Sequence, residues 1–222
     1  MKKYERLDEA TAPDGTVLTL YRHDRAYFIR VNGVELMSTR RHLSEDRLGE
    51  LVCAPLAGTA GARVLIGGLG LGFTLRAALG ALAADAEVVV AELVEAVIRW
   101  NQDPAYELAG DALCDPRVTL VHDDVARVLA ASPGAFDGIM LDVDTGADAL
   151  TTAGNAALYR DAGLRTAAAA LRPGGRLAYW SAVADPKFAT ALRRAFRRDR
   201  YLCRVHHLRV APLAVPGVRP QS

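Results

Sequence analysis

The stretch VLIGGLGLGFTL, Val64 to Leu75, sets four glycines between an apolar, β-branched run and an alanine-rich helical pattern. A strand that breaks into Gly67, Gly68, Gly70 and Gly72 and resumes as a helix leaves few folds open. Glycine at such a turn lets the backbone bend tightly, and it lets a ligand approach the main chain with no Cβ in the way. The spacing from Gly68 to Gly72 is G-x-G-x-G, not the G-x-G-x-x-G of dinucleotide-binding turns. Taken alone, the loop also suits a tight turn with no ligand.

The rest of the chain supplies the context. From about Gly61 apolar runs alternate with helical patterns. ARVLIGG, AEVVVAEL, RVTLVHDD, AFDGIMLDVD and RLAYWSA read as strands, and YLCRVHHLRV as a final strand or two. TLRAALGALAA, VEAVIRWN, VARVLAAS and DPKFATALRRAFRR read as helices between them. NAALYRDAGLRTAAAALR reads as one long helix stopped by Pro173-Gly174-Gly175. Continuous apolar strands need both faces covered, so the pattern predicts an α/β fold with a doubly wound, mostly parallel sheet.

Before this region the rhythm differs. Thr16–Arg22, Ala26–Val31 and Val34–Ser38 are short, β-branched or aromatic, and the last two are joined by Asn32-Gly33. They predict a small antiparallel meander. SEDRLGELVCAPL then reads as a helix with Ser44 as N-cap, Glu45 and Asp46 complementing the dipole, and Pro55 and Gly58 ending it. The expected organisation is a meander and helix over 1–58, a ligand-binding domain over 59–212 and a loose tail over 213–222.

Composition narrows the function classes. A net charge of +1 gives no global case for nucleic acid or a membrane surface. The basic run Arg193–Arg200 reads as the solvated end of a helix. No run approaches a membrane span, and MKKYERLDEA has no apolar segment of a signal peptide. Three scattered cysteines suit a reducing, cytoplasmic compartment. His206 and His207 are adjacent in a strand and face opposite ways, so no metal is expected.

The strand ends carry the candidate chemistry. Glu92 ends the second strand, where an acid can take both hydroxyls of a ribose. Asp123 and Asp124 end the third, with Asp124 able to accept from an adenine amine. Asp142 and Asp144 end the fourth. Any one of them also suits a helix N-cap, and Asp144 and Asp148 also suit a solvated loop.

These residues together resemble the class I S-adenosylmethionine-binding fold and, within it, the spermidine synthase-like branch. The resemblance covers roughly residues 16–196. It includes the meander, the helix with Glu50, the glycine loop followed by Leu75-Arg76, Glu92, Asp124, the FDGIMLD strand, Leu158-Tyr159 and the LRPGGRLA approach to the fifth strand. It implies a sulfonium nucleoside with its tail on the glycine loop, its ribose on Glu92 and its adenine on Asp124; it also implies a homodimer through the meander. Aminopropyltransferases of this branch carry an acid in the glycine loop that holds a propylamine. Aligned on Leu75-Arg76, its place here is Leu71. Their gate reads D-S-S-D-P where this chain has DVDTGAD. Their Tyr-His-Glu becomes Leu48-Gly49-Glu50, and a meander glutamine becomes Leu36.

The sequence therefore predicts an S-adenosylmethionine-dependent transferase. Methyl transfer to a small amine leads, with the methionine tail held by backbone groups of the uncharged loop. Aminopropyl transfer from decarboxylated S-adenosylmethionine is the alternative. A nucleoside-binding partner subunit without catalysis is the third reading. Asp142 is expected to bind and deprotonate the amine, helped by Asp144 and Tyr159, with Glu50 lining the acceptor side. Gly67, Gly68, Gly70, Gly72, Glu92, Asp123 and Asp124 are expected at the donor.

Overall fold

The structure, a computed structural model, describes residues 4–143, 155–181, 186–196 and 202–205. The expected tail, Asp144, Asp148, His206 and His207 lie outside the described residues.

The N-terminal meander has four strands rather than three: β1 (Glu5–Thr11), β2 (Val17–His23), β3 (Ala26–Val31) and β4 (Val34–Ser38), paired in that order and antiparallel throughout. Asn32 and Gly33 both take positive φ, as a two-residue hairpin turn of this kind requires. β1 has no apolar run to announce it. Glu5, Arg6, Asp8 and Glu9 make it a charged edge, which discourages pairing with another chain. It is held by partners instead. Glu5 pairs with Arg22 at 2.8 Å, and Trp100 Nε1 donates to Asp8 Oδ2 at 2.6 Å.

Among the described residues the second sheet has six parallel strands in the order β10-β9-β8-β5-β6-β7. They are β5 (Arg63–Gly67), β6 (Glu87–Glu92), β7 (Val118–His122), β8 (Phe136–Leu141), β9 (Leu171–Trp180) and β10 (Leu202–Val205). Alternate residues serve opposite faces. Val64, Ile66, Val88 and Val90 join one core, and Leu65, Val89, Ala91 and Ile139 join the other. The first core also takes in Leu18, Leu20, Ile29 and Val31 of the meander, so the meander and the larger sheet share one apolar layer. α1 (Leu43–Cys53) and α2 (Phe73–Ala81) pack together in that layer, with α3 (Glu95–Gln102) beside them. The chain also forms α4 (Gly110–Leu113), α5 (Val125–Ala131), α6 (Asn155–Leu158), α7 (Asp161–Ala170) and α8 (Pro186–Ala195).

Three local expectations are corrected. α1 begins at Leu43 with His42 in the cap position and no side-chain cap; the His42 Nδ1 to Asp46 Oδ2 contact at 2.6 Å ties its first turn, so Ser44 lies inside the helix. The long alanine-rich helix is broken into α6 and α7 at Tyr159-Arg160. There the Leu158 carbonyl accepts from Tyr179 Oη at 3.2 Å, and Arg160 is extended. Tertiary bonds override local propensity at that point. β9 begins at Leu171, before Pro173, and absorbs Pro173-Gly174-Gly175 as an irregularity between the Phe136 and Gly138 pairings.

The Asp8–Trp100 bond ties the meander edge to α3 and carries a stability prediction. Trp100 is 2% exposed, and its N–H is the main cause that holds the Asp8 carboxyl below its ordinary range, with the Glu9 N–H and Arg99 adding to it. A carboxyl lowered by folding contributes stability above its unfolded pKa, and that contribution fades as pH falls through the folded value. Trp100→Phe is expected to cost about 2 kcal/mol at neutral pH through lost packing and a lost hydrogen bond. The gap from wild type should narrow below about pH 4. Thermal denaturation of both proteins across pH 3–8 reads both effects.

Candidate active site

The parallel sheet changes direction at β5, with β6 on one side and β8 on the other. A ligand crevice is expected beyond the carboxyl ends of strands at such a point. There a cleft opens between the glycine loop, the ends of β6 and β8, and the underside of the meander. Ala12, Leu18, Ile29, Leu36 and Met37 form its apolar roof. Gly68, Gly70, Glu92, Asp124 and Asp142 form its polar floor.

The loop is shaped by exclusion. Gly68 has φ +92°, and a Cβ there would run into the Asp142 carbonyl. The two strand ends are thus pressed together, and the Asp142 N–H donates to Gly67 O at 2.8 Å. Asn101, 1% exposed on α3, completes the frame. Its amide donates to Gly70 O at 2.8 Å, while its carbonyl oxygen accepts from Ala109 N at 3.0 Å.

Glu92 is 7% exposed and bridges the loop to its own strand end. Oε2 accepts from Leu69 N and Oε1 from Val94 N, each at 2.8 Å. Burial pushes its carboxyl above the ordinary range, against the opposing pull of the Val94, Leu69, Gly70 and Leu93 N–H groups. Asp124 borders the cleft and also caps α5, accepting from Ala126 N at 2.8 Å through Oδ1, which leaves Oδ2 for a ligand donor. Asp123 is turned to the Asp124 N–H at 2.8 Å and to Arg127 at 3.4 Å, and does not line the cleft. Gly67 does not line it either; a Cβ there would strike Val125 and Leu141, so its role is packing.

Asp142 sits where this cleft meets a smaller cavity, lined also by Leu36, Met37, Glu45, Val143 and Trp180. Desolvation, then the nearby Glu45 charge, pushes its carboxyl up to about 7, against a hydrogen bond from Thr74 Oγ1 at 2.8 Å. A carboxyl poised there is matched to proton transfer near neutral pH.

Two expected acceptor-side residues are elsewhere. Glu50 is exposed and pairs with Arg47 at 2.8 Å, on the far side of α1 from the cavity. The acid that α1 presents to the cavity is Glu45, five residues earlier. Tyr159 is 6% exposed within the second core, against Tyr179 and Phe188, and its hydroxyl donates to the Trp180 carbonyl at 3.2 Å. It holds the end of β9 rather than lining the cleft. Glu45, Thr74, Asn101 and Met37 were not expected at the site. The available signals were a threonine buried in an apolar helix start and an asparagine on the apolar face of α3.

The loop's donors are largely spent within the protein. Gly68 N donates to Ala91 O and Gly72 N to Leu69 O, both at 2.8 Å, while Leu69 N and Gly70 N serve Glu92. This disagrees with a loop that takes a methionine tail through backbone groups. Leu71, the place of the family's loop acid, is 2% exposed and packed in the core.

No protein-family model and no curated protein matches the chain. Solved structures do. The spermidine synthase from Thermotoga maritima is similar at a TM-score of 0.63 and 18% identity, over 89% of this chain and 64% of that one. A spermidine synthase in complex with the transition state analogue AdoDATO is similar at 0.64 and 18%, over 89% and 63%. A probable spermidine synthase from Corynebacterium glutamicum is similar at 0.52 and 18%, over 79% and 62%. The chain thus spans a little under two thirds of the length of each. At this identity the likeness establishes the shared Rossmann-like fold.

Proposed function

We propose that this protein transfers an aminopropyl group from decarboxylated S-adenosylmethionine to a small amine. The observation that carries the reading is the sign of the site. Among the described residues lining the cleft and the adjoining cavity, every charged side chain is acidic: Glu45, Glu92, Asp124 and Asp142. A sulfonium donor and an ammonium tail suit that field. A tail carboxylate meets like charge, at about 4 kcal/mol for a pair 4 Å apart in a protein-like medium, with few loop N–H groups to receive it. The spermidine synthases of similar fold favour the same reading.

The residues present fit such a donor. Glu92 presents its carboxylate to the ribose hydroxyls, Asp124 keeps one oxygen for an exocyclic amine, and Gly68 and Gly70 line the cleft beside them. When bound, a sulfonium nucleoside supplies its own leaving group: the acceptor nitrogen forms the new N–C bond while the C–S bond breaks and its electron pair stays on sulfur as a neutral thioether. The protein holds the acceptor nitrogen in line and removes its proton. Asp142 binds the ammonium, takes the proton at a carboxylate oxygen and leaves the nitrogen lone pair free to attack. The apolar roof of Leu36 and Met37 excludes water from this step. Asp144, two residues beyond Asp142 in the sequence, is proposed as its helper.

Methyl transfer from S-adenosylmethionine is the second reading, and Leu71 favours it. A loop with no acid offers a propylamine no side-chain clamp. Incubation with each donor and a set of mono- and diamines, followed by mass analysis of the acceptor, separates the readings. An aminopropyl gain is expected. A methyl gain overturns the first reading, and no gain with any acceptor overturns both.

A further inference from the structure

Glu45 has no part in the donor floor, and neither the fold nor the shared motifs assign it a role. It projects from the first turn of α1 into the cavity that Asp142 also lines, with Leu36, Met37, Val143 and Trp180 forming apolar walls around both carboxyls. Thr74 fixes the arrangement from α2. It is 3% exposed, and its hydroxyl lies 2.8 Å from Asp142 Oδ2 and 3.5 Å from the Glu45 carbonyl oxygen. We propose that Glu45 is a positioning residue for the transfer: across this apolar cavity, its negative charge keeps Asp142 basic enough to take the acceptor's proton. The inference rests on the transfer reading above for its purpose, but not for its test.

The surroundings of Asp142 support it. From β6 and α5 the facing titratable groups are Glu92 and Asp124. From α2 it is met by Thr74, from β4 by Leu36 and Met37, and from β9 by Trp180, none of which carries charge. Of the acids, Glu45 is the one whose charge raises the Asp142 carboxyl. Glu45 itself accepts from Ser44 Oγ, and its neighbour Asp46 is taken up by His42, which stacks on Phe73 at 4.0 Å. Glu92 and Asp124 are engaged by backbone N–H groups. A negative neighbour raises a carboxyl's proton affinity, so removing that charge lowers it.

The test is a carbon-13 carboxyl titration of the full chain by NMR, with Asp142→Asn used to assign the resonance. In wild type the Asp142 midpoint is expected near neutral pH. In Glu45→Gln it should fall by about half a unit or more. Glu45→Asp should restore much of the shift, while Asp46→Asn should leave it in place. The acidic limb of kcat/KM for the amine should move with the midpoint, with donor affinity unchanged. An Asp142 midpoint that is the same in wild type and Glu45→Gln overturns the inference, as does a limb that stays put while the midpoint moves. A moved midpoint in a protein that binds neither donor supports the coupling and overturns the transfer reading instead.

Discussion

Asp142→Asn is expected to lower kcat by about 10²–10⁴-fold while leaving donor binding intact, because it removes the proton acceptor and keeps an oxygen for the Thr74 hydroxyl. The same variant should be more stable than wild type above neutral pH. The sign follows from linkage. The Asp142 carboxyl titrates at about 7 in the folded chain and near the ordinary carboxylate value when unfolded, so between those values the folded state holds the extra proton. Stability therefore falls as pH rises across that window and levels off above it. Asparagine lacks this loss, which amounts to a stabilisation on the order of 4 kcal/mol at pH 8. Denaturant unfolding at pH 5 and pH 8, beside single-turnover kinetics, reads both arms. A variant that is inactive and also less stable at pH 8 would mark Asp142 as a structural residue.

Glu92→Gln carries the second large effect. Glutamine keeps the size but turns one acceptor oxygen into a donor, which faces either the Leu69 or the Val94 N–H and can no longer accept from it. One buried N–H is orphaned, and one site for a ribose hydroxyl is lost. Each such loss is worth about 1–3 kcal/mol, so donor affinity should fall about 30-fold or more, while kcat at saturating donor changes far less. Equilibrium binding of the adenosine portion alone isolates the effect, since that fragment carries no tail. Unchanged affinity for that fragment would remove Glu92 from the donor site.

Much of this arrangement is legible in the residues before any coordinates. The strand–glycine–helix unit at Val64–Leu75 and the acids at successive strand ends place Glu92, Asp124 and Asp142 beside one crevice, because parallel strands must all end on the same edge. What the sequence hides depends on contacts distant in the chain. β1 carries no strand signal, since Trp100 rather than an apolar stripe holds Asp8. The break at Tyr159-Arg160 is set by hydroxyls of Tyr159 and Tyr179 reaching across to backbone carbonyls. Helical phase decides between Glu45 and Glu50. Five residues along a helix is about 500° of rotation, so an acid in the first turn and one in the second face different ways. The loop's backbone donors are hidden for a related reason: Glu92 of the next strand takes the Leu69 and Gly70 N–H groups, and the carbonyls of Ala91 and Leu69 take those of Gly68 and Gly72.

The central claim is that the acidic cleft takes a sulfonium donor without a tail carboxylate. Isothermal titration of the purified chain with decarboxylated and intact S-adenosylmethionine tests it most directly. The account predicts tighter binding of the decarboxylated form, by about tenfold or more for a 1.4 kcal/mol difference in tail electrostatics. Equal or tighter binding of the intact form would contradict it and return the protein to the methyltransferase reading.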